Sequence, residues 1–132
     1  TIYLNNKDKI KKIYDTYKQN INFLKELSNI VRIYFDKSYE NVKDNNLDKD
    51  FISTIKEFMI SLDSIHVWNQ SNLKNNIKKF IETKKIKFSL LGQFIRYILT
   101  NNKNGPPIYA IIDILGKENT FFRLNKYIKR NY

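Results

Sequence analysis

Apolar residues recur along most of this chain at three- and four-residue spacing, the period of an amphipathic helix. Ile10, Ile13, Tyr14 and Tyr17 share one face and predict a helix over roughly 5–18. Ile21, Leu24, Leu27, Ile30, Val31, Tyr34 and Phe35 predict a second over roughly 20–37. The stretch 38–47 is polar and acidic, with repeated Asn and Asp, and reads as a loop. Asp48 is a plausible N-cap for a third helix over 49–65, with Phe51, Ile52, Ile55, Phe58, Met59 and Leu62 on its inner face. Asn69 or Ser71 opens a fourth, ending near Lys85, with Leu73, Ile77, Phe80 and Ile81 inside.

The last third is the most strongly punctuated. Leu90, Leu91, Phe94, Ile95, Ile98 and Leu99 keep helical spacing until the run Asn101–Pro107 breaks the chain. Glycine supplies unusual backbone angles there, and paired prolines cannot continue a helix. A short helix is predicted over 107–115, with proline tolerated in its first turn. Gly116 ends it, and a last helix follows over 117–130. Arg96 stands just before the polar loop, and Arg123 about one turn into the last helix. With only 3 glycines and little alternating pattern, the fold class is all-α. Two helical sub-bundles are expected, 1–66 and 67–132, with Trp68 as an apolar anchor between them.

Charge sharpens that division. Of a net +11, residues 1–66 carry eleven Lys/Arg against ten Asp/Glu, whereas 67–132 carry thirteen against three. A basic half beside a balanced half points to a polyanion, most often nucleic acid. The competing reading is solvation of helix faces in a lysine-rich composition, and charge alone does not separate the two. At 132 residues, 42% of them apolar, the chain is long enough to bury a core. Without cysteine it has no disulfide or thiolate metal site, and His66 is the single histidine. No metal site is therefore read, and no glycine-rich nucleotide loop or catalytic carboxylate pair stands out. There is no apolar run long enough for a membrane span and no leader-like start. The chain opens at Thr1, and a piece of a longer protein is expected.

The order Ile95-Arg96-Tyr97-Ile98-Leu99-Thr100, a loop, Pro106, the short helix 108–114, Leu115-Gly116-Lys117-Glu118 and Arg123-Leu124 is distinctive. It closely resembles the C-terminal anticodon-binding region of bacterial glutamate–tRNA ligases. Weaker upstream matches are Trp68 before a polar helix start and Leu24-Lys25-Glu26-Leu27 followed by Tyr34-Phe35. The resemblance implies an anticodon-binding helical bundle whose partner is glutamate tRNA, with glutamine tRNA as a second candidate. It implies a monomeric, cytoplasmic, bacterial-type enzyme that uses ATP and magnesium, with an organellar setting as the alternative. Those cofactors would belong to the full-length enzyme and none to this chain, from which the catalytic domain is absent. His66-Val67-Trp68 lacks the glycine and second histidine of the family's His-x-Gly-His signature, and no Lys-Met-Ser-Lys-Ser-like loop is present.

Candidate contacts follow from the residues and the resemblance together. Arg96 has a planar, donor-rich head suited to an anticodon base; on spacing alone it is a surface arginine, and the resemblance favours function. Lys103, Asn104 and Gly105 offer exposed backbone and small polar groups to an unstacked strand, or merely turn the chain. By resemblance, Ile108 lies with them near the last anticodon nucleotides. Lys117 and Lys129 are candidate phosphate contacts, or solvated lysines. Arg123 is expected to be structural, holding the loop or the Gly116 turn. Tyr97 and Tyr109 flank the loop as lesser candidates for base stacking. Three positions depart from the family: Asn101 where glycine is frequent, Phe94 where proline precedes the Leu-Arg pair, and Gln19-Asn20 where Glu-Arg is common. The last removes an arginine associated with the first anticodon base. The alternatives are a stand-alone helical RNA-binding module and a helical interaction scaffold.

Overall fold

The computed structural model of this chain describes residues 6–19, 26–39 and 49–131. Every regular element among them is helical. These are α1 (Lys7–Tyr17), α2 (Leu27–Phe35), α3 (Lys49–Asp63), α4 (Gln70–Lys84), α5 (Phe88–Thr100) and α6 (Ile108–Asn131). The expected helices are present. The start of the second, the Leu24-Lys25 pair, Asn20, the loop at 40–47 and the expected N-cap Asp48 lie outside the described residues.

Two compact units divide the chain, Thr1–Tyr39 and Glu40–Tyr132. The hydrophobic pattern and the charge break put the division at 66/67 instead. The difference lies in α3, which packs against α4 and α6 and so joins the second unit. Its sequence charge is balanced, but its apolar face decides its partners: Ile55, Phe58 and Leu62 are wholly buried. Phe58 meets Phe80 of α4 edge to face at 5.4 Å, and Lys84 pairs with Glu57 at 2.9 Å. That ion pair is half exposed, so apolar burial carries this packing.

In the first unit, α1 and α2 meet through Tyr17 and Tyr34, whose hydroxyls lie 2.8 Å apart with the rings edge to face. Burial pushes the Tyr17 hydroxyl above its ordinary pKa, and the Tyr34 hydrogen bond pulls it partly back. Lys9 lies 4.7 Å over the Phe35 ring.

The second unit is built on α5 and α6, its most extensive pairing. Leu91, Ile95, Ile98 and Leu99 line the inner face of α5 at helical spacing, each with no exposed surface. They face a core completed by Ile111, Ile112, Leu115 and Leu124 of α6 and Leu73 and Ile77 of α4. Phe94 packs its ring on Phe51 of α3, centroids 4.2 Å apart. Leu90 keeps the apolar spacing yet stays 42% exposed, at the edge of the buried stripe.

Helix ends follow local chemistry. Asn69, not Ser71, caps α4, accepting the Asn72 N–H on its side-chain oxygen at 2.8 Å. Lys85 closes α4 in the left-handed region at φ 56, a conformation that costs an L side chain energy. α6 runs through a break at Gly116, with φ 81 and ψ 162, where the sequence calls for one helix to end and the next to begin. Trp68 donates its indole N–H to the Ile112 carbonyl at 3.3 Å, in the turn before that break. It therefore anchors the α3–α4 connection to α6 within one unit.

Gly116→Ala is expected to destabilise the chain by about 1–3 kcal/mol, because its backbone lies in a region almost reserved for glycine. A Cβ there would meet nothing within 4 Å, so the loss is conformational and not steric. Lys85→Gly should act oppositely, stabilising by about 0.5–1 kcal/mol. Urea denaturation of the two variants checks both; a stabilised Gly116→Ala would contradict the backbone account.

Candidate nucleic-acid interface

α5 ends at a polar turn that the sequence dictates locally. Asn101 takes left-handed angles, φ 60 and ψ 17, and its N–H bonds to the Tyr97 carbonyl. Asparagine tolerates this conformation better than most residues. The Asn102 side chain accepts the Asn104 N–H at 3.0 Å, a side-chain-mediated turn. Gly105 follows at φ 142. The Pro107 carbonyl then accepts the Ala110 and Ile111 N–H groups and starts α6. Residues 101–105 are all exposed.

Arg96 is folded over this loop from the preceding helix. Its Nε donates to the Pro106 carbonyl at 2.7 Å and a terminal nitrogen donates to the Lys103 carbonyl at 3.2 Å. Two of the five guanidinium donors therefore hold loop backbone. Partial burial draws the Arg96 pKa below its ordinary value, and the two carbonyls compensate the charge. The guanidinium lies against Gly92, one turn earlier on α5, where a Cβ would stand 3.3 Å from both terminal nitrogens. Sequence reading passes over Gly92; its one signal is a glycine four residues before an arginine in an otherwise apolar helix.

Arg123 is buried, 5% exposed, and donates to the Leu99 carbonyl at 2.8 Å. It holds the last turn of α5. Thr100 donates back to the Arg96 carbonyl at 2.8 Å. The end of α5 is thus tied down by side chains on both sides.

The other candidates separate. Arg96, Lys103, Asn104 and Gly105 come together at the loop. Ile108, expected beside them as a contact, is 2% exposed and turns its side chain into the core. Its apolar side chain is worth more in the core than at a wet RNA surface. Lys117 is tied to Asp63 at the end of α3, Nζ to Oδ1 2.9 Å, and lies 5.7 Å from the Phe121 ring centre. Lys129 is exposed in the last turn of α6, where a cation also suits the helix dipole. Tyr97 and Tyr109 are half-buried, and each carries a lysine near its face: Lys103 at 5.8 Å and Lys74 at 5.7 Å. Lys74 was not among the residues the sequence singles out. His66 is exposed. Among the described residues no group of His, Cys, Asp and Glu is placed to hold a metal, and no helix is long and apolar enough to cross a membrane.

An exposed loop of backbone groups and short polar side chains, with cations and aromatic faces beside it, can hydrogen-bond and stack on unpaired bases.

Residues 2–128 match the anticodon binding domain family. The chain is 33% identical over 119 residues to glutamate–tRNA ligase 1 of Orientia tsutsugamushi, covering 86% of this chain and 25% of that protein. It is 33% identical over 132 residues to the glutamate–tRNA ligase of Pelagibacter ubique, covering 92% and 28% respectively. With glutamate–tRNA ligase 1 of Aliarcobacter butzleri it shares 31% identity over 139 residues, covering 98% and 29%. The chain thus spans little more than a quarter of these relatives.

Arg123→Leu is expected to cost about 1–3 kcal/mol of stability, because the Leu99 carbonyl loses a buried donor. Thermal or urea unfolding measures it, and a variant as stable as the parent would show that α5 ends well without the arginine.

Proposed function

This chain belongs to the anticodon binding domain family, and we propose that it is the anticodon-recognising part of a glutamate–tRNA ligase. The whole enzyme would join glutamate to its tRNA with ATP, and this chain would supply recognition alone. The partner is glutamate tRNA, with glutamine tRNA as a second candidate. Gln19-Asn20 stands where the family's Glu-Arg pair commonly does, so that arginine is not available to separate the two.

The observation that carries the proposal is the exposed loop 101–105 held beneath Arg96, in the half of the chain that bears thirteen Lys/Arg against three Asp/Glu. Unpaired anticodon bases present hydrogen-bonding edges, and the loop presents backbone and asparagine groups that match them. Lysines on the surrounding helices supply sequence-independent attraction to phosphates. This division assigns specificity to the loop and affinity to the lysines.

Binding of RNA hairpins that carry the glutamate anticodon or a swapped anticodon tests the proposal, by fluorescence anisotropy at two salt concentrations. The parent chain should prefer the glutamate hairpin by about 1–3 kcal/mol for each base read. Lys129→Ala should weaken both hairpins alike and lower the salt slope by about 1, as a phosphate contact does. Salt-dependent binding that ignores the anticodon would replace anticodon reading with general RNA binding. Binding near background at both salts would leave a helical scaffold with compositional charge.

A further inference from the structure

We propose that Gly92 and Arg96 are positioning residues, which set the backbone of the 101–106 loop for RNA. The inference rests on the RNA-binding function proposed above and concerns how that site is held in shape.

Glycine is the weakest ordinary helix former, and Gly92 lies buried in the middle of α5 with no call for unusual angles. What its missing side chain leaves is room. A Cβ at this position would lie 3.3 Å from each terminal guanidinium nitrogen of Arg96 and 3.5 Å from its central carbon. On its other side the guanidinium is fixed by the Pro106 carbonyl at 2.7 Å and the Lys103 carbonyl at 3.2 Å. The group is therefore confined between a bare stretch of helix and two loop carbonyls. A Cβ at residue 92 would make the guanidinium give by a few tenths of an ångström and so disturb its two carbonyl contacts.

The two carbonyls bracket Asn104 and Gly105, and Gly105 also lies close to the arginine stem, its would-be Cβ 3.9 Å from Arg96 Cδ. Fixing both flanks fixes the direction of the exposed groups between them. Lysine cannot substitute here. It keeps the charge but has no donor at the Nε position and no planar fork to bridge two carbonyls.

The test combines RNA binding with loop dynamics in the full 132-residue chain, comparing the parent with Arg96→Lys, Arg96→Ala and Gly92→Ala. In Arg96→Lys, preference for the glutamate-anticodon hairpin over the swapped one should fall about tenfold, as in Arg96→Ala. The salt slope should stay at the parent value, because the charge is retained. Without RNA, ¹⁵N order parameters of residues 102–105 should fall in both variants from the rigid range, about 0.85, toward the flexible range below about 0.6. Gly92→Ala should keep or raise the unfolding midpoint while shifting the loop amide resonances and reducing the preference severalfold. Arg96→Lys with the parent's preference would overturn the proposal. So would lost preference in Arg96→Ala with loop order and shifts unchanged, which would make Arg96 a direct reader. A parent chain with no preference between hairpins would overturn the anticodon function; loop order in Arg96→Lys would then judge the clamp by itself.

Discussion

A helix that ends in an exposed loop leaves its last carbonyls without intrahelical donors; at the end of α5 one arginine supplies such a donor, and a second holds the loop that follows. Arg123 reaches across from α6 to the Leu99 carbonyl inside the core. Arg96 reaches forward along its own chain to the Lys103 and Pro106 carbonyls at the surface. Arginine suits both places because its donors are fixed in a plane and its charge is weakly hydrated. The loop, the start of α6 and the packing of α5 on α6 all depend on these contacts. Without them the buried carbonyl would be unsatisfied and the exposed ones would turn to water.

The two arginines occupy different environments and so have different consequences. The buried one joins two helices, and its effect is on stability. The surface one holds a segment with few apolar contacts of its own, so its effect is on shape. A loop of asparagine, lysine and glycine has little reason to prefer one conformation. The left-handed Asn101, the Asn102–Asn104 turn and the Arg96 clamp narrow that freedom in three steps. A site that must meet an unpaired strand benefits from having lost its entropy before binding.

The lysines are spread through the structure with other partners already in place. Lys117 pairs with Asp63, Lys84 with Glu57, and Lys74 and Lys103 lie over tyrosine faces. These contacts are worth little in water, because exposed ion pairs lose much of their attraction to solvent and salt. A phosphate backbone can therefore compete for them at small cost. The positive half of the chain retains its attraction for a polyanion although several of its lysines have intramolecular neighbours.

Periodicity was enough to determine the helices, because burial of one face at i, i+3 and i+4 is a local rule that α3 to α6 obey. Single-residue chemistry was enough to determine the break at Gly116 and the cap at Asn69 as one of two candidates. The order of residues from Ile95 to Leu124 carried the family likeness. The tertiary structure decided that α3 packs with the later helices, because contact between faces is not contained in charge balance along a chain. It decided that Ile108 is core, since its neighbours fill the space around it. It also showed which carbonyls the two arginines reach and that Gly92 leaves room for one of them. Which carbonyl an arginine reaches, and which glycine leaves room for it, depends on distances between residues that only folding brings together.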